Sequence, residues 1–187
     1  DQVVALSVTQ VPAMTTAQVA NLGTDQVAAI ETRDLVKMTT AQIAAFTTTQ
    51  IQALTTTQVT NLTTSQVVAL TATQVGKLTT DQVVALTASQ AGKLTSTQVQ
   101  ALNSDQFVAL KTGDLAQMTT GQIAALTTAQ VTNLTTDQVV ALTTDQVPAM
   151  TTAQVSKLGV DQIAAIETAD LVKMTTAQIA ALTTAQV

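Results

Sequence analysis

The side chains able to do chemistry in this 187-residue sequence are carboxylates and hydroxyls, and they recur at fixed intervals. Asp1, Asp25, Asp81, Asp105, Asp137, Asp145 and Asp161 share one place in a repeating pattern, and Asp34, Asp114 and Asp170 share another. Glu31 and Glu167 stand three residues before Asp34 and Asp170. Paired carboxylates can divide general-acid and general-base work or ligate calcium, and ranked threonine hydroxyls can match a water lattice. Neither carboxylate chemistry is completed. No D-x-D-x-D-G or G-G-x-G-x-D loop is present, and nothing else reactive accompanies the Glu/Asp pairs. There is no His, Cys, Trp or Tyr, which removes histidine bases, thiol nucleophiles, Cys/His metal sites and most aromatic stacking platforms. The expectation is a protein that is not an enzyme, with no catalytic, cofactor-binding or metal-binding residues.

Charge narrows the partners. Seven Lys and Arg stand against twelve Asp and Glu, for a net charge of −5, so the phosphate neutralisation that drives nucleic-acid binding has no source. No apolar run approaches the roughly 18 residues that span a bilayer. The apolar fraction is ordinary at 46%, but with two Phe the core must be filled by Val, Leu, Ala, Ile and Met. A thin, locally filled core is implied.

The elements that would position these groups follow from an eight-residue period. Gln or Asp occurs at residue 2 and at every eighth residue to Gln186, without insertion. Taking that residue as position one, the consensus is Q-V-x-A-L-T-T-x. Positions two and five are the apolar ones; Ala91 is the small exception. A strand would send these two to opposite faces, whereas in an α-helix three residues subtend about 300° and the pair shares a face. Across the junction, T-T-x-Q is a capping box: the position-six hydroxyl caps the first turn and the Gln three residues on reaches back. The preceding Leu and the following Val form a hydrophobic staple. Thr15, Thr39, Thr47, Thr55, Thr63, Thr127 and Thr135 are such caps, with Ser7, Gly23, Asn103 and Gly159 as variants. Asp34, Asp114 and Asp170 read as cap variants that accept the same bond. One continuous helix is opposed by paired Thr, by Pro12 and Pro148, and by an apolar stripe that would drift about 80° per octad. The two prolines predict shortened or shifted helices.

The sequence therefore predicts an all-α solenoid over residues 1–187, a single array of capped helices of about six residues, one per octad. Position four is Asn21, Lys37, Asn61, Lys77, Lys93, Gln117, Asn133, Lys157 and Lys173 where it is not Ala. Their mean spacing predicts about 2.4 octads per superhelical turn. The first set of aspartates falls at the second helical position, favourable for the helix dipole, and always in helices whose position four is Ala. This predicts two chemically different flanks, one acidic and one neutral to basic. Residues 7–49 recur nearly intact at 143–185, and the chain starts and stops inside an octad, as expected of a piece of a longer array.

The unit L-T-T-x-Q-V-x-x-L resembles the tandem L-T-x-x-Q repeats of large bacterial exported proteins of the haem-utilisation or adhesion type. That resemblance implies a secreted or surface location and a rod, spacer or scaffold role in an adhesin. It lends no haem site, because no His, Cys or Tyr is available as an axial ligand and the Met residues take core positions. Expected partners are neighbouring repeats and like solenoids meeting laterally. Ice binding by ordered Thr is the alternative.

Overall fold

The computed structural model describes residues 5–187, in which twenty α-helices and one 3-10 turn follow one another without a strand. Each helix is four to six residues long, too short to persist alone in water. Its start is fixed locally. Thr55 has extended backbone angles; its hydroxyl accepts from the Gln58 N–H at 3.1 Å, and Gln58 Oε1 accepts from the Thr55 N–H at 2.7 Å. The same reciprocal pair recurs along the chain, with Asn103 serving at one junction. Gly23 and Gly159 keep only the half that needs no side chain, donating their N–H to Gln26 and Gln162. Asp1 and Gln2 lie outside the described residues.

The helices end as regularly as they begin. The position-five residue is extended, and its N–H returns to the position-two carbonyl three residues earlier, as from Leu54 to Ile51 at 3.2 Å. Two extended residues, Leu and then Thr, thus separate successive helices, and no described residue has a positive φ. The left-handed cap that would demand glycine is not used, so Leu-Thr can restart a helix every octad.

The prolines act as predicted. Pro12 sits in a 3-10 turn, Val11–Ala13, and residues 144–149 around Pro148 form turns without an α-helix. At other position-three residues the N–H bonds back four residues, as from Ser156 to Thr152 at 3.0 Å; proline has no N–H to offer. The cap survives even so, with Gln146 N–H to the Thr143 hydroxyl at 3.3 Å.

Positions two and five build one continuous core, from Val11 to Met174. Each apolar pair is completed by other turns of the superhelix. Naming each unit by its position-one residue, helices three units apart pack together, as Ala72–Val75 does with Ser96–Ala101 and Thr24–Ala28 with Thr48–Ala53. The position-one amides reach four units back, as Gln58 does to the carbonyl of Val27 at 2.9 Å. One turn therefore holds between three and four units, which corrects the predicted 2.4. The reason lies in the pattern used to count. Position-four exceptions recur three to every seven units from Asn21 to Asn133, but seven units make about two turns, not three. Those residues record local helix-end chemistry: Asn21, Asn61 and Asn133 each donate Nδ2 to the carbonyl four residues back, at 2.7–2.8 Å, and the five helices followed by Lys at position four are the five four-residue ones.

Candidate functional site

The residue that the repeat spends most on is the position-one glutamine. From Gln42 to Gln178 it is buried, and both ends of its amide are used. Oε1 accepts from the cap N–H; Nε2 donates to the carbonyls of positions two and five, four units earlier. Gln82 reaches Ile51 at 2.8 Å and Leu54 at 2.7 Å, and Gln130 reaches Val99 and Leu102 at 2.7 Å each. A buried carbonyl left without a donor costs about 1–3 kcal/mol, so this ladder ties each turn to the one before. Sequence reasoning found the cap and missed the ladder. The signal was present, because a capping box accepts Glu as readily as Gln, yet Glu never occupies position one; a carboxylate cannot donate. The position-six hydroxyls, on which ordered-Thr readings depend, are engaged in caps.

At Asp34, Asp114 and Asp170 the cap is kept in part at most: the Lys111 backbone N–H bonds Asp114, as a cap variant should, but no Thr hydroxyl stands at the cap position. All three are buried, and no side-chain cap bond forms at the residue three before, Glu31, Lys111 or Glu167. The Asp side chain is one methylene shorter than Gln and has no N–H for the distant carbonyls. What replaces the amide differs among the three. In the Asp114 unit Lys111 extends its ammonium to the Leu86 carbonyl at 2.9 Å, the carbonyl a Gln would have taken, and stands 3.5 Å from Asp114 Oδ2. In the Asp34 unit Arg33 Nε lies 2.7 Å from Glu31 and 3.9 Å from Asp34. In the Asp170 unit position 169 is Ala, and no described cation pairs with the carboxylates. Burial raises the Asp114 carboxyl above its ordinary value while Lys111 pulls it down. Burial also raises Asp170, and neighbouring Glu167 raises it further.

The surface carries its own order. Following contacts from turn to turn through the helices Thr24–Ala28, Thr48–Ala53, Thr80–Ala85, Ser104–Val108, Thr136–Val140 and Val160–Ala164 puts Asp25, Asp81, Asp105, Asp137 and Asp161 on one line along the axis. All five are exposed, and Val84, Val108, Val140 and Val160 are exposed on the same helices. Asp145 lies off this line. The next unit in sequence, about 100° around the superhelix, starts a second line with Lys37, Asn61, Lys93 and Gln117 on successive turns. The preceding unit starts a third, with Asn21, Lys77, Asn133 and Lys157. The predicted pair of flanks is thus an acidic line with a polar-to-basic line on either side. Shallow grooves between turns are lined by Thr64, Ser65, Val68, Ser89, Lys93 and Thr119. They bring together hydroxyls and one ammonium, without a base to activate either.

The ALTTAQ repeat model matches residues 1–29, 27–64, 60–88, 107–144 and 163–187, more than half of the chain. The chain belongs to the ALTTAQ repeat family. The stretches between matches, 89–106 and 145–162, hold the local departures Ala91, Gly92, Asn103, Pro148 and Gly159. No curated protein matches the chain. This ALTTAQ array is a tandem-repeat helical solenoid, and no helix among the described residues is long and apolar enough to cross a membrane.

Proposed function

We propose that this ALTTAQ array is a non-catalytic rod or spacer of a bacterial secreted or cell-surface adhesin, and that it meets like solenoids or a protein partner laterally. The observation that supports this best is the glutamine ladder: the polar side chain that recurs at position one is consumed in holding turn to turn. Such a unit can be reiterated to any length while presenting the same lines of surface charge. The acidic line, with its polar-to-basic neighbours, gives side-by-side contact an electrostatic basis that salt would weaken. Light scattering at low and at high salt tests the lateral part: a monomer under both conditions would remove it. Protease accessibility of the array on intact producing cells, together with adhesion after its deletion, tests the location and the role. Ice binding would have to rest on the exposed position-seven threonines, and thermal hysteresis at millimolar protein decides it.

A further inference from the structure

Position three of the repeat is nowhere buried among the described residues, and what stands there differs between neighbouring lines of the superhelix. On the acidic line it is Val84, Val108 and Val140, each 37–45% exposed. They follow Asp81, Asp105 and Asp137 by three residues and so share the outer face of their helices. One unit further around, position three is Gly92, followed by the exposed Lys93. A Cβ there would meet the Gln117 carbonyl of the next turn at 2.7 Å, so the packing of turn on turn keeps this place bare. Two shallow grooves meet here at Thr64 and Lys93. One, of about 370 Å³, is lined also by Ser65 and Val68, and the other, of about 300 Å³, runs past Gly92 to Gln117. Neither Lys93 nor any of the three aspartates has an ion-pair partner among the described residues.

From this arrangement we infer that the acidic line of one copy seats in the Lys93 groove of a second copy, with Asp against Lys93 and Val beside Val68. The inference rests on the lateral association proposed above and names the contact that makes it. Three observations choose a second copy as the occupant. The charges are complementary and unpaired within the chain, and position four is always Ala, Asn, Gln or Lys, so the groove line offers donors and never a carboxylate. Both lines also climb the same superhelix. Asp81, Asp105 and Asp137 advance by three or four units per turn, as do Asn61, Lys93 and Gln117, so the axial spacing of one copy's carboxylates is that of another's donors. Finally, valine supplies a knob where glycine leaves the hole, which adds buried apolar area to an attraction that salt alone would erase. The two lines lie about 100° apart around the superhelix. One copy can therefore present its acidic line and receive another's at the same time, a heterologous contact.

Light scattering of the full chain and of two charge-reversed forms tests the contact. One form carries Asp81→Lys, Asp105→Lys and Asp137→Lys; the other carries Lys93→Glu and Gln117→Glu. The parent chain should show at least about twice the mass of one chain at low salt, and the mass of one chain near about 1 M salt, where the screening length falls to about 3 Å. Each form alone should stay a single chain, because its line and its groove now carry like charges. An equimolar mixture should associate again, because the groove of each form then meets a complementary line on the other. Circular dichroism confirms that both forms keep the helical spectrum. Val84→Ser, Val108→Ser and Val140→Ser together leave the charge unchanged and should weaken association at least about tenfold. A parent chain that stays single at low salt would overturn both the contact and the lateral reading. Given an associating parent, three results would overturn the contact and leave the lateral reading standing: undiminished association of either folded form alone, a mixture that stays single, or a serine variant that associates as well as the parent.

Discussion

Residues 7–49 and 143–185 are nearly the same sequence in two different surroundings. Thr15 and Gln18 make the capping box in the first copy as Thr151 and Gln154 do in the second, each with the Gln N–H 3.2 Å from the hydroxyl. Beyond the cap they diverge. Gln154 also donates to Ile123 at 2.9 Å and to Leu126 at 2.7 Å, while Gln18 is exposed and its amide donates to no carbonyl among the described residues. The apolar residues diverge in the opposite sense: Leu35 is fully buried by later turns, but its counterpart Leu171 is 39% exposed. Caps are therefore local and identical, whereas burial and the ladder belong to the stack. Units in the middle of the array receive bonds from one side and give them to the other.

That contrast can be broken most sharply at the glutamines. Gln154→Ala should lose the cap acceptor and leave the buried Leu126 carbonyl without a donor, the Ile123 carbonyl keeping only the Leu126 N–H, at a cost of about 2–4 kcal/mol, while Gln18→Ala loses the cap alone, at about 1 kcal/mol. Urea unfolding compares the two; equal losses would mean that the ladder contributes nothing. Glycine offers a second comparison. A Cβ on Gly76 would meet the Ala101 carbonyl at 2.8 Å, and one on Gly92 the Gln117 carbonyl at 2.7 Å, whereas one on Gly113 would meet nothing within 4 Å. Gly76→Ala and Gly92→Ala should each destabilise by about 1–3 kcal/mol by forcing neighbouring turns apart. Gly113→Ala, inside a helix, should stabilise by about 0.5–1 kcal/mol in thermal melts.

The Asp units sharpen the comparison through pH. Burial raises the Asp114 and Asp170 carboxyls in the folded chain, so the native state holds these protons more tightly than the unfolded one does. Their contribution to stability is complete below the ordinary carboxylate range and is lost as pH rises through the raised folded values. Thermal midpoints measured between about pH 3 and pH 7 should show this loss, and Asp170→Gln should remove its share. The smallest effect is expected at Pro148→Ala, which restores a backbone N–H in the one internal unit without a helix; a gain below about 1 kcal/mol is predicted, since the freed chain also gains unfolded-state entropy. Amide exchange around 144–149 would register the new helical bond.

The sequence by itself determined the unit. Position-two and position-five apolar residues, the T-T-x-Q junction and the two prolines state where each helix begins, which side it buries and where it fails, because capping and helical periodicity act within eight residues. Only the tertiary structure decided how units stack. Turn number, the second use of the glutamine amide, the alignment of Asp25, Asp81, Asp105, Asp137 and Asp161, and the isolation of Asp170 all depend on contacts between residues 24 to 32 apart. A pattern of exceptions repeating every seven units is equally compatible with two turns or three until those contacts are seen. Local hydrogen bonds choose the helix; packing of Val and Leu between turns, with Gln closing the carbonyls, chooses the superhelix.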